Sequence, residues 1–525
     1  MASFARRDLF RGASLAAIMS SWKGRLFAGS LTIGPSIFES IGVRPIINCK
    51  GTFTIISGSQ SLPEVKAAME AASRHYVHLD ELMEAVGKRL AELTQAEWGM
   101  VSNGCAAALV HATAACVSGG DPEKMQRMPQ LDGLKNEVIA PAYSRNVYDH
   151  AVRAIGVKFI NVNTVEEYER AFNARTAMVM VLAGPGDDGP LGTKVLASIA
   201  KKHGVPVLVD AAAERLTIPN VHLGRGADLV AYSGGKCLRG PQAAGLLLGR
   251  KDLIKAAWLN AAPHHAFGRP MKAGKEEIMG MLAAVEMWVK RNHDAEWKEW
   301  ESWLDTISKS VTRVPGVTTK VTQPDSLSNN APQLRIMWDG EALGMGGTDV
   351  ERVLWEGSPR MILGGAQGSA RMGLKNSSLT IMPYMMMPGD AKVAADRLHA
   401  VLKSPLGVKQ WRPAPPAANV SGLWDVEMEY LVGKAKHSLM LEQKDNDIMG
   451  SHTGETLKGD LRGAIDGGEV RFRSSHRIEG TGLGYEFSGK VEGDTMRGTV
   501  NMGEYGTAQF TAKRHSYNSG RRRSG

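Results

Sequence analysis

Asp210 closes the apolar run Val205-Pro206-Val207-Leu208-Val209. A carboxylate at the end of a buried strand is costly unless it meets a positive partner, and a protonated pyridine nitrogen is one such partner. Downstream, Ser233-Gly234-Gly235-Lys236 follows a second apolar run that ends at Tyr232. A lysine placed there can bond to an aldehyde, and the Ser233 hydroxyl can bond a phosphate. Alone, Asp210 reads as a helix N-cap and Lys236 as a surface-loop lysine. In this order, at two strand ends, they read as a site for pyridoxal 5'-phosphate (PLP) with Lys236 forming the Schiff base. A third segment, Val101-Ser102-Asn103-Gly104-Cys105, is a strand end and tight polar turn that opens an Ala-rich helix. Free backbone N–H groups and the positive end of the helix dipole meet there, which makes a phosphate cradle.

Other candidates carry less. Tyr148 lies where a side chain could stack on a cofactor ring, although a packed helix residue is its plainer reading. His264-His265 is a loop pair with no third ligand near it, so no metal is expected. Cys49, Cys105, Cys116 and Cys237 form no CxxC and no paired Cys/His spacing, which argues against both a disulfide framework and structural zinc.

These residues need a frame. From Ile41 to about Leu406 apolar strands alternate with amphipathic helices, the signature of right-handed βαβ units and a mostly parallel sheet sandwiched by helices. Ligands of such sheets sit beyond the strands' carboxyl ends. One long helix is expected from Ile278 to near Val311, and a helix from Val147 to Ile155. The chain divides into a leader over 1–36, a large α/β domain over 37–315, a small α+β subdomain over 316–410 and a Pro-rich linker over 411–419. About eight short antiparallel strands over 420–516 then imply a small barrel or sandwich, and 517–525 is a basic tail.

The formal charge of +9 is partly terminal, with Arg6, Arg7 and Arg11 at one end and Arg521, Arg522 and Arg523 at the other. No Lys/Arg stripe interleaved with aromatics lies between them, so a nucleic-acid partner is not expected. Arg6-Arg7-Asp8-Leu9-Phe10 before a short apolar run resembles a twin-arginine export signal, which implies a periplasmic protein. The alternative is an attached basic leader on a cytoplasmic one. The run is too short to span a bilayer, and no other stretch qualifies.

Residues from about Ile41 to Leu406 resemble the selenocysteine synthase branch of fold-type I PLP enzymes, in particular its small-molecule members of the D-glucosaminate-6-phosphate ammonia lyase kind. The resemblance rests on Val43-Arg44-Pro45-Ile46-Ile47-Asn48, Ser102-Asn103-Gly104, Val209-Asp210-Ala211-Ala212-Ala213-Glu214, Ser233-Gly234-Gly235-Lys236 with Gly240-Pro241-Gln242-Ala243, Gly268-Arg269-Pro270-Met271-Lys272 and Gly357-Ser358-Pro359-Arg360. It implies Lys236 as the Schiff-base lysine and Asp210 as the pyridine-nitrogen partner. It implies Ser102, Asn103, Gly104, Cys105 and Ser233 as phosphate ligands. Arg269 and Lys272 become a basic loop reaching an active site, its own or that of a neighbouring subunit in a homodimer or larger homo-oligomer. Arg360 is the candidate for the substrate carboxylate, against a salt bridge within the small subdomain. The reaction implied is lyase or racemase chemistry on a small amino acid or amino-sugar acid, through an external aldimine and a Cα carbanion. Two rivals stand beside it: a selenium transferase acting on aminoacyl-tRNA, and a degenerate PLP domain serving a ligand-binding barrel. The carboxyl-terminal β domain is an addition to the family pattern and resembles lipocalin-like barrels.

Overall fold

In the computed structural model, which describes residues 31–516 apart from Pro185 and Asp188, the twin-arginine motif and the basic tail lie outside the described residues. The first strand, β1 (Ile47–Cys49), is followed by β2 (Trp98–Ser102), β3 (Glu137–Pro141), β4 (Lys158–Val162), β5 (Thr176–Leu182), β6 (Val207–Asp210), β7 (Leu229–Ser233) and β8 (Gly245–Gly249). β2 to β8 form a seven-stranded sheet in the order β2-β8-β7-β6-β5-β3-β4. β8 alone runs antiparallel to its neighbours, so the carboxyl ends of β2, β3, β5, β6 and β7 share one end of the sheet. Every residue of β2, β3, β6 and β8 is buried, as expected when helices cover both faces.

A second sheet of five strands, β1-β11-β12-β10-β9, is built from β9 (Thr318–Thr322), β10 (Gln333–Trp338), β11 (Met361–Ser369) and β12 (Gly373–Ile381). β1 joins it from far upstream, parallel to β11. The single long helix expected up to Val311 is two helices, Lys275–Lys290 and His293–Val311. Arg291 is extended (φ −63°, ψ 143°), and the Asn292 side chain accepts from Ala295 N at 3.0 Å to cap the second helix. The helix expected over Val147 to Ile155 is also shorter, Asp149–Arg153, and Asn146 accepts from Tyr148 N just before it.

The second unit, described by itself, is a closed antiparallel barrel of β13 (Gly422–Glu429), β14 (Lys434–Lys444), β15 (Asp447–Thr453), β16 (Lys458–Asp466), β17 (Glu469–Ile478), β18 (Thr481–Glu492), β19 (Thr495–Asn501) and β20 (Thr507–Arg514). Each strand pairs with the next, and β13 pairs with β20. β18 starts at Thr481 rather than near Tyr485, because Gly482 and Gly484 still offer the backbone groups that the ladder with β17 needs. Trp424, Phe472, Phe487 and Phe510 fill much of the interior. Toward the end that carries the 430–433 and 454–457 turns, three imidazoles join in a line. His437 Nδ1 lies 2.8 Å from His452 Nε2, and His452 Nδ1 lies 3.0 Å from His476 Nε2. Ser474 Oγ is 2.7 Å from His452 Nδ1, and Tyr430 OH is 3.4 Å from His437 Nε2. Burial pushes all three histidines down, His452 to about 3, so the line is neutral at neutral pH.

Candidate active site

Strand register places the chemistry. Ser102 on β2 and Ser233 on β7 both stand opposite Gly245 on β8, so the two serines and the glycine form one transverse row. Asp210 stands opposite Ala231, two residues short of Ser233, or about 6.6 Å along the strand. Directly paired residues and residues two apart share a face, so Ser102, Ser233 and Asp210 point to the same side of the sheet. The helix Gly104–Ser118 starts on that side, and Cys105 Sγ lies 3.7 Å from Asp210 Oδ1. A Cβ on Gly245 would come within 2.6 Å of the Gly104 carbonyl and the Cys105 amide. Only a glycine lets the strand pass this close to the cradle.

The cradle is open to an anion. Asn103 makes no side-chain cap to the helix it precedes; its Nδ2 donates instead to the Lys272 carbonyl at 2.9 Å. Gly104 adopts φ +79°, and a Cβ built on it would meet nothing within 4 Å. The 15-residue helix thus starts without a side-chain cap, with open space beside Gly104 and the dipole behind it.

Asp210 is 2% exposed, and burial raises its carboxyl above the usual range while the Lys236 ammonium and the Ala212 amide pull it back. Asp149, itself buried and paired with Arg145 at 2.5 Å, adds a smaller upward push. A cation at Asp210 would offset this cost. Lys236, half-buried in the turn after β7, has no hydrogen-bond or ion-pair partner among the described residues, and neither has the Ser233 side chain. An electron-poor ring fits between these groups: the free Ser233 hydroxyl beside the helix start, where Ser102 Oγ donates to the Gly104 carbonyl at 2.9 Å, a carboxylate about 6.6 Å down the strand, and an uncommitted amine beside them. The residues present fit PLP.

Other candidates fall differently. The 269–272 loop reaches the cradle of its own chain through the Lys272 carbonyl, with the Arg269 and Lys272 side chains exposed. Arg360 donates to the Trp355 carbonyl at 3.1 Å and lies over the Trp355 ring at 4.5 Å, both within the small subdomain. Tyr148 is 50% exposed at the start of a short helix. Tyr143, which sequence reasoning passed over, sits on the turn immediately after β3, at the same sheet end as Asp210. Its hydroxyl donates to the Leu191 carbonyl at 2.9 Å, and Gly186 packs on its ring. It stands two residues after the strand-ending Pro141, a position that no periodic pattern marks. His264 bonds Asp80 and backbone carbonyls. Beneath the lysine turn lies a buried ionic network. His222 sits 2.6 Å from Glu214 and 3.4 Å from Asp187, and Cys237 Sγ donates to the Glu214 carbonyl. Between these two carboxylates, and against the cost of its own burial, His222 is held up to about 9.

Comparisons with known proteins agree with this geometry. The family model of L-seryl-tRNA selenium transferase matches residues 148–300, a span that holds Asp210, Ser233, Lys236, Arg269 and Lys272. D-glucosaminate-6-phosphate ammonia lyase of Salmonella typhimurium is 28% identical over 331 residues, which cover 61% of this chain and 87% of that protein. 5'-C-glycyluridine monooxygenase-decarboxylase of a Streptomyces species is 31% identical over 305 residues, covering 55% of this chain and 74% of that one. A solved structure of D-glucosaminate-6-phosphate ammonia-lyase superposes with a TM-score of 0.63 at 25% identity, over 71% of this chain and 99% of the other. The fold and site define a PLP-dependent enzyme of fold type I, with an eight-stranded barrel added at its carboxyl side. Within that class, the chain belongs to the selenocysteine synthase-like family.

Proposed function

We propose that the protein is a PLP-dependent lyase that releases ammonia from a small amino acid or amino-sugar acid carrying a β-hydroxyl. The observation that carries this reading is the serine row with Asp210 below it and an unpartnered Lys236 beside it. PLP, when bound, supplies an electron sink that acidifies the Cα–H bond of an amine joined to it. The helix amides from Gly104 and the Ser233 hydroxyl would hold its phosphate, Ser102 Oγ, which donates to the Gly104 carbonyl at 2.9 Å, would shape the cradle, Asp210 would keep the pyridine nitrogen protonated, and Tyr143 would cover a ring face. Lys236 Nζ, the covalent anchor, takes the Cα proton once substrate has displaced it. Loss of the β-hydroxyl as water and hydrolysis of the resulting enamine balance as one ammonia and one 2-keto acid. Two relatives described above, named as an ammonia lyase and a decarboxylase, support small-molecule chemistry over the tRNA rival. Return of the proton to the opposite face would make the enzyme a racemase.

Arg269 and Lys272, exposed beside the cradle, complete the proposal as substrate contacts. Homodimer formation is part of it, supported by Phe53, Ile55 and Tyr76, large apolar side chains left 47% to 102% exposed. So is export by the twin-arginine route, which carries folded, cofactor-loaded proteins; no helix among the described residues is long and apolar enough to cross a membrane. The test is a panel of D- and L-β-hydroxy amino acids and amino-sugar acids offered to the yellow holoprotein. Ammonia and keto acid in equal amounts are expected from at least one of them. Cα-hydrogen exchange without ammonia would reassign the enzyme as a racemase, and neither signal from any compound would overturn the lyase reading.

A further inference from the structure

On the other flank of the lysine turn lies a cavity of about 140 Å³ that Lys236, Asp210 and the serine row do not line. Its walls are Trp288, Trp300 and Tyr384, and three guanidinium groups, those of Arg215, Arg239 and Arg291, border it. The charges do not balance by ordinary pairing. Neither Arg215 nor Arg239 has a carboxylate within 4 Å among the described residues. Arg215 meets Asn330 Oδ1 at 3.5 Å and lies 6.0 Å from the centre of the Trp288 ring, and Arg239 Nε donates to the Gln60 carbonyl. Arg291, its side chain 9% exposed, donates to the Cys237 carbonyl at 3.1 Å, and its nearest carboxylate is Glu296 at 3.7 Å. Glu296 is itself shared with His293. Burial lowers the pKa of both Arg239 and Arg291; a neighbouring arginine lowers each further, while Glu296 and Glu64 pull each back up. Two carboxylates, Glu296 and Glu299, also line the cavity, so the three guanidinium groups leave a positive excess that an anion would offset.

The backbone gives a second indication. Arg239 adopts φ +54°, a left-handed conformation that costs an arginine energy where a glycine would pass freely. Its amide closes the turn onto the Lys236 carbonyl at 2.9 Å. Trp288 is fixed by its Nε1 bond to the Leu216 carbonyl and carries Arg291 over its ring at 4.8 Å. Trp300 meets Tyr384 edge to face.

We infer that this cavity is a second ligand site, for a small molecule with a dianionic phosphate-type group joined to a flat apolar body. The planar forks of three arginines match a tetrahedral oxyanion, and the indole walls match the flat body. Its occupant touches Cys237 and Arg239, one and three residues past the lysine. The site does not depend on the cofactor assignment, since none of the cofactor residues lines it.

The probe is phenyl phosphate, titrated calorimetrically into the yellow holoprotein, with inorganic phosphate and phenol as separate arms. PLP occupies the cradle throughout, and the visible absorbance reports the cofactor independently. Saturable binding of phenyl phosphate is expected, tighter than inorganic phosphate and far tighter than phenol. Arg215→Gln and Arg239→Gln should each weaken it about ten-fold or more, the scale of one lost charge-assisted hydrogen bond. Arg215→Gln lies outside the lysine turn, so a fold defect of the turn variant does not decide the matter. No saturable binding, equal binding of phenol, or undiminished affinity in Arg215→Gln would overturn the inference.

Discussion

Asp210 has two neighbours that make its charge conditional: the buried Cys105 thiol and, farther off, Asp149. The Asp210→Asn variant should keep PLP but lose roughly 10²–10⁴ in turnover, because an amide cannot hold a proton on the pyridine nitrogen. Cofactor absorbance read beside ammonia release separates the two effects. Near-normal rates would move the role elsewhere, and Glu214 is poorly placed for it because His222 already holds its carboxylate at 2.6 Å. Asp210 and Lys236 were legible in the sequence because each follows an unbroken apolar run, and a charge there needs a reason. Tyr143 was not, since one aromatic after a strand carries no periodic signal; only the shared sheet end singles it out. Arg360 was singled out as a motif residue, and the contacts it makes are with the Trp355 carbonyl and ring.

At the scale of elements, the cradle depends on how closely β8 passes the Gly104–Ser118 helix. Gly245→Ala would set a methyl 2.4 Å from the Gly104 carbonyl carbon, so the helix start must shift. PLP affinity should fall at least ten-fold while the unfolding midpoint drops by only a few degrees, readable by dialysis against PLP and by thermal melting. An unchanged affinity would show that the cradle is not where PLP sits. The ionic network under the lysine turn predicts a pH slope. His222 is raised to about 9 in the folded state against 6.5 unfolded, so its contribution is fully present below about pH 6.5 and is lost as pH rises through about 9. The thermal midpoint of the α/β unit should fall over that window, and His222→Gln should flatten the fall. Strand runs with their flanking helices could be read from alternation. The break at Arg291-Asn292 could not, because both sides keep helical apolar spacing and only the extended Arg291 and the Asn292 cap of the second helix mark it.

For the molecule as a whole, eight strands could be counted from their alternation, but closure rests on β13 pairing with β20, a contact between chain positions far apart that no local pattern reports. The barrel's neutral histidines set an acid limit. His452 is pushed down to about 3, against 6.5 unfolded, so the unfolded chain takes up protons first as pH falls below about 6.5. Barrel stability should drop by up to about 1.4 kcal/mol per pH unit for each such histidine, seen as faster amide exchange in β14, β15 and β17. His452→Gln should reduce that slope. Because, among the described residues, the barrel strands pair with one another, a fragment ending near Leu406 should remain soluble and yellow. Attachment of PLP to Lys236 is tested by reducing the holoprotein with borohydride and mapping the pyridoxyl mass by peptide sequencing. The label is expected on the peptide containing Lys236 alone, absent from Lys236→Ala together with all turnover. A label on another lysine, or a Lys236→Ala variant retaining more than about a thousandth of wild-type activity, would contradict it.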